Sequence, residues 1–108
     1  MEKGIKEIIW TNPAKEDLKN IFDYLAEFSE GSAHRVVNRI LDRTDMLLKQ
    51  GFSEMGQREP LLEHKSDVYR YLLEGNYKII YRAKENRIII DTIFDARQNP
   101  EKLQKLVK

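Results

Sequence analysis

The chain has 108 residues, 41% hydrophobic, 34% charged and 9% aromatic, and its 19 Lys and Arg against 18 Asp and Glu leave a formal net charge of +1. That length suits one domain, residues 1–108, and the lack of Cys excludes disulfide frameworks, thiolate zinc sites and cysteine catalysis. Plentiful apolar residues with charges of both signs exclude a disordered chain, and the near balance of charge weighs against affinity built mainly on phosphates.

Residues 5–10 are short, apolar and β-branched, and read as a strand. Thr11-Asn12-Pro13 supplies a capped helix start, with Glu16 and Asp17 expected in the first turn, where the helix dipole favours them. Ala14, Leu18, Ile21, Phe22, Leu25 and Phe28 then recur at helical spacing. Residues 29–32 break that helix and cap the next, whose stripe is Ala33, Val36, Val37, Ile40, Leu41, Thr44, Leu47 and Leu48, with Gly51 as its stop. Together they form an αα-hairpin with an apolar side on each helix.

Residues 51–66 read as an irregular loop that Leu61 and Leu62 tuck onto the core. Three strands follow at 68–73, 77–83 and 87–94, with turns at 74–76 and 84–86. A short helix over 101–108 closes the chain, with Leu103, Leu106 and Val107 on one side. The predicted class is α+β, in the order β-α-α-β-β-β-(α). The hairpin packs on one face of an antiparallel four-stranded sheet, the strand at 68–73 opposes the first, and the other sheet face stays partly open.

No apolar run exceeds three residues, as in Ile8-Ile9-Trp10, so no membrane span is expected. The start lacks an apolar secretory core, and Met1-Glu2 does not fit a myristoylation signal, so the expected location is the cytoplasm. His34 and His64 lie thirty residues apart without a third ligand pattern, so neither a metal nor a cofactor is expected. No nucleophile elbow or Gly-rich phosphate loop is present.

Charge is split along the chain. Residues 65–108 hold ten Lys and Arg against six Asp and Glu (+4), residues 1–64 nine against twelve (−3), and the two sum to +1. Arg70, Lys78, Arg82, Arg87 and Arg97 interleave with Tyr69, Tyr71, Tyr77 and Tyr81. A basic face laced with aromatics engages phosphate or carboxylate groups. Strand side chains alternate, so a three-residue turn puts Arg70, Lys78 and Arg82 on one face, and a two-residue turn flips the second set. The three-residue turn gathers the more apolar residues on one side and is the preferred register.

These residues resemble a known family. The helix start at 12–18, the Tyr69-Arg70-Tyr71-Leu72 strand, the segment 75–82 and the closing Phe94-Asp95-Ala96-Arg97-Gln98-Asn99-Pro100 are similar, in order and spacing, to toxins of the RelE/ParE superfamily. The resemblance covers nearly the whole chain and is closer to the ParE type. It implies the toxin of a type II toxin–antitoxin system, a class associated with plasmid stabilisation. A small antitoxin from an adjacent gene would neutralise it by wrapping the groove between hairpin and sheet. ParE-type members inhibit DNA gyrase by protein contact, without chemistry of their own. RelE-type members cut messenger RNA on the ribosome, and there Arg70, Lys78 and Arg97 would stabilise the phosphate. Leu72 stands where a second strand cation is common, and residues 98–108 contain no Tyr or His to move protons. The low net charge points the same way, so the ParE-like reading is preferred over the RNase and over an inactive binding module. The expected target and antitoxin contacts are Arg70, Lys78, Arg82, Arg97 and Tyr81.

Overall fold

The computed structural model describes residues 7–50 and 56–106. The chain forms β1 (Glu7–Trp10), α1 (Asn12–Ala26), α2 (Glu30–Gln50), β2 (Gln57–Arg58), a 3-10 turn at Pro60–Leu62, β3 (Arg70–Glu74), β4 (Tyr77–Lys84), β5 (Arg87–Asp95) and α3 (Glu101–Leu106). The class is α+β, as the sequence pattern predicts. The Gly51 stop, residues 5–6 of the first strand and residues 107–108 of the tail lie outside the described residues.

Five strands, not four, make the sheet, in the order β1-β5-β4-β3-β2. The extra strand β2 is only Gln57–Arg58, paired with Tyr71 and Arg70, and is too short and polar to show a period. The sheet is also not purely antiparallel, because β1 runs parallel to β5. Since β5 opposes β4 and β4 opposes β3, β3 runs with β1 rather than against it. The hairpin does bring the chain back opposed, but β2 takes that direction and the chain turns once more before β3.

Thr11 sits at the junction of β1 and α1. Its Oγ1 accepts the Ala14 N–H at 3.2 Å, and its own N–H and hydroxyl donate to the Ile90 carbonyl on β5 at 3.1 and 3.0 Å. One side chain therefore caps the helix and ties it to the sheet. Glu16 and Asp17 fall beyond the first turn, contrary to the dipole reading. Asp17 Oδ2 accepts instead from Thr92 Oγ1 at 2.5 Å and from the Ile93 N–H at 3.1 Å. Ser29 caps α2 by accepting the Ser32 N–H at 3.2 Å.

Ala14, Ile40, Leu47, Leu72, Ile79, Tyr81, Ile88, Ile90 and Ile93 fill the space between hairpin and sheet. Each large aliphatic side chain there stabilises the fold by about 1.5–3 kcal/mol. The opposite sheet face is not open. Leu62 and Leu103, brought by the 3-10 turn and α3, close over Tyr69, Ile80 and Phe94, with Leu61 and Tyr71 at the margin. Their apolar side chains need cover as much as the hairpin stripes do.

The β3–β4 turn has two residues. Glu74 pairs with Tyr77, Leu72 with Ile79 and Arg70 with Tyr81, leaving Gly75-Asn76 as the loop. Gly75 takes φ 59°, a left-handed conformation that glycine enters at no steric cost, so Glu74 stays in the ladder. The three-residue register is thus overturned. Lys78 and Arg82 share the outer face with Tyr71, while Arg70 shares the hairpin side with Tyr77 and Tyr81. One irregularity follows: Ile80 pairs with Thr92 but Tyr81 with Ile90, so Asp91 is an extra residue on β5.

Candidate functional site

The sequence-predicted contacts do not converge. On the outer face, Lys78 Nζ lies 2.9 Å from Glu59 Oε2 and 4.5 Å from the centre of the Tyr71 ring. The Glu59 side chain has 0% exposure and also accepts the Leu61 N–H. Arg82 meets Asp91 at 3.0 Å and Asp67 at 3.4 Å. The bulge that turns Asp91 out of the ladder supplies the first of these partners. Half-burial pushes the Asp91 carboxyl up, and the neighbouring Arg82 draws it partly back. On the other side of the sheet, Arg70 Nη1 donates to the Gly56 carbonyl at 3.0 Å.

Tyr81 is a core residue with 0% exposure, so it offers no surface to a partner. Its hydroxyl oxygen accepts the Gly56 N–H at 2.8 Å. A Cβ at position 56 would lie 2.4 Å from the Tyr71 carbonyl oxygen, which is why glycine stands there. Arg97 lies past the end of β5. Its Nε and Nη2 donate to both Asp95 oxygens at 3.0 and 2.8 Å, and this pairing holds the Asp95 carboxyl below its ordinary range. The Arg97 side chain is 63% exposed, so its remaining edge faces solvent. Lys78, Arg82 and Arg97 each pair with carboxylates, and Arg70, which bonds a carbonyl instead, stands on the other face, so these cations do not gather around one point where a transferring phosphate could sit. Among the described residues no group of three or more His, Asp or Glu is placed to hold a metal ion.

Two concavities flank α1: one lies between hairpin and sheet, where the sequence reading placed the antitoxin groove, and the other, on the helix flank, was not foreseen. The first is a groove of about 430 Å³ along the α1–α2 flank, floored by Trp10, Leu18, Phe22, Val37 and Leu41 and edged by Lys15 and Lys19. The 3.6-residue period puts positions 15, 18, 19 and 22 on one side of α1, so the apolar stripe extends past the core into solvent. Spacing alone assigned Leu18 and Phe22 to the interior. The signal available was the lysine pair bordering them.

The second is a cleft of about 420 Å³ between α1 and the β4–β5 end of the sheet. Ile21 and Ile93 give it an apolar floor, and Asp17, Tyr24, Tyr77, Asp95 and Arg97 converge on it. Burial pushes the Asp17 carboxyl up, against the lowering pull of the Thr92 and Ile93 donors. Burial, and then the Asp95 charge, push the Tyr77 hydroxyl up as well.

Comparisons with known proteins agree with this architecture. No curated protein matches the chain. A solved structure described as the chromosomal ParDE TA system from P. aeruginosa superposes with a TM-score of 0.69 at 25% identity, over 86% of this chain and 98% of that one. The profile of the ParE toxin of the type II toxin–antitoxin system parDE matches residues 8–100. Spanning the whole of β1 through β5 but for one residue, that match shows that the chain belongs to the ParE toxin family of type II toxin–antitoxin systems.

Proposed function

We propose that this toxin inhibits DNA gyrase in the cytoplasm by protein–protein contact, without chemistry of its own, and is neutralised by a small antitoxin encoded beside it. The observation that carries this reading is the scatter of the sheet's cations. Of the cations that an RNase would aim at a phosphate, Lys78 and Arg97 are paired with Glu59 and Asp95, and Arg70 lies on the other face of the sheet, bonded to the Gly56 carbonyl, so the three do not converge. The tail from 98 to 108 also lacks the Tyr or His that would move protons. Of the candidate contacts, Arg97 is the one with an exposed side chain and an unspent edge, and it serves here as a recognition residue.

The flank groove suits the antitoxin. Its apolar floor takes a stripe of aliphatic side chains, and Lys15 and Lys19 on its edge take carboxylates beside that stripe. A flexible acidic segment that folds on binding meets both conditions.

The test is inducible expression with gyrase activity and message integrity read in parallel. Trapped gyrase–DNA cleavage complexes with intact message are the expected result. Codon-positioned cuts in translated message, weakened by Arg97→Ala, would establish the RNase instead. Harmless expression without the antitoxin would leave only a binding module.

A further inference from the structure

The polar cleft at the end of α1 has a chemistry that toxin inhibition and antitoxin docking on the opposite flank do not use. Its charged lining residues are Asp17, Asp95 and Arg97, a formal balance of −1. Asp95 and Arg97 neutralise each other through two hydrogen bonds, which leaves Asp17 as the charge that counts. Asp17 Oδ2 is fully engaged by Thr92 and Ile93, while Oδ1 has no partner and the carboxylate no ion pair among the described residues. Two aromatic rings, Tyr24 and Tyr77, line the same space. A half-buried carboxylate beside aromatic faces is the environment that favours a cation, and a planar guanidinium in particular. The desolvation that raises the Asp17 carboxyl is the penalty such a cation would relieve.

The surroundings indicate that the cation belongs to a protein. Tyr24, 59% exposed, packs edge-on against Phe28, 74% exposed, with ring centroids 5.5 Å apart. This aromatic pair extends the cleft wall onto open surface, where a free small cation would leave it uncovered and a polypeptide would bury it. The geometry points to a docking site for an arginine side chain of a partner protein, its guanidinium held by Asp17 Oδ1 and the Tyr24 and Tyr77 rings, with its flanking residues on Tyr24 and Phe28. The site lies across α1 from the lysine-edged groove, so both can be filled at once.

The experiment titrates the full-length ¹⁵N-labelled protein with Nα-acetyl-arginine amide, with the neutral isostere Nα-acetyl-citrulline amide, and with Nα-acetyl-glutamate amide. Saturable shifts of the amides at 17, 20, 24, 77 and 98 with the arginine compound alone are expected. Asp17→Asn should weaken that binding about fivefold, since it removes one partly buried charge pair. Gln98→Lys, an exposed change that leaves the core untouched, should weaken it similarly by setting a like charge at the cleft mouth. Equal shifts with citrulline, shifts with glutamate at the cleft, or no saturable shifts with arginine would each overturn the assignment.

Discussion

Lys78 Nζ and Glu59 Oε2 stand 2.9 Å apart, and the glutamate side of that pair is wholly buried. The lysine is therefore the counter-charge that allows an acid to sit under the 3-10 turn. Lys78→Met should destabilise the protein by about 3 kcal/mol, because it strands a buried carboxylate. The double change Lys78→Met with Glu59→Leu should recover most of that loss. Urea unfolding of the three proteins checks both expectations. A lysine serving only a bound phosphate would show no such coupling.

Tyr81 and Gly56 form the second internal link. Tyr81→Phe removes the acceptor of the Gly56 N–H and should cost about 1–2 kcal/mol in thermal or urea unfolding, with affinity for the antitoxin unchanged. Gly56→Ala should cost more, about 3 kcal/mol, since its Cβ would be forced against backbone at Tyr71. Loss of affinity at full stability in Tyr81→Phe would return that residue to the binding surface.

Stability against pH should have two legs of opposite sign. The Asp95 carboxyl is held below its ordinary value of 3.8, so its contribution is complete above that value and is lost as pH falls through the lower folded value. Arg97→Gln should erase this acid-side loss. Asp17 and Asp91 are raised above 3.8, so their contribution is complete below that value and is lost as pH rises through the folded one. Asp17→Asn keeps an oxygen for Thr92 and Ile93 without the buried charge. It should unfold at an equal or higher urea concentration than the parent at neutral pH, with the curves converging in acid.

On the flank groove, Lys15→Glu with Lys19→Glu should lower affinity for the cognate antitoxin about tenfold at low salt, two pairs of modest worth. The loss should shrink as salt rises. Calorimetry on the purified pair reads this directly, and an unchanged affinity would move the antitoxin to another face. Trp10, the single tryptophan, lines the groove and should report its occupation by a shift in fluorescence.

The helices were legible because their apolar residues repeat at 3.6 and their caps are chemical: the segments 11–13 and 29–32 read as starts do hold the caps, which are Thr11 and Ser29. The meander was legible from its β-branched and aromatic runs. What failed turned on single residues. Glu74 belongs equally to a strand end or a turn, and its placement moved Lys78 and Arg82 to the face opposite Arg70. The closed outer face failed for another reason, since Leu62 and Leu103 each stand in segments too short to declare a direction. The charge split of −3 and +4 is real in the sequence, yet carboxylates from a loop and a bulge neutralise its basic half at close range. The lining of the cleft could not be read, because it joins α1 to strands about sixty residues away, and the flank groove was missed because helical spacing alone assigned Leu18 and Phe22 to the interior.

The place of β5 has a consequence for how this protein comes into being. The last strand made is not at the rim but between β1 and β4, and it also receives the hydroxyl of Thr11 that fastens α1. A chain halted before residue 87 holds a first strand without a neighbour and an α1 without the bonds that Thr11 and Asp17 make to β5. A lost C-terminal fifth thus removes an inner strand of the sheet rather than trimming its border. For a member of a toxin family, the sheet is therefore complete only once residues 87–95 have been made and lie between β1 and β4.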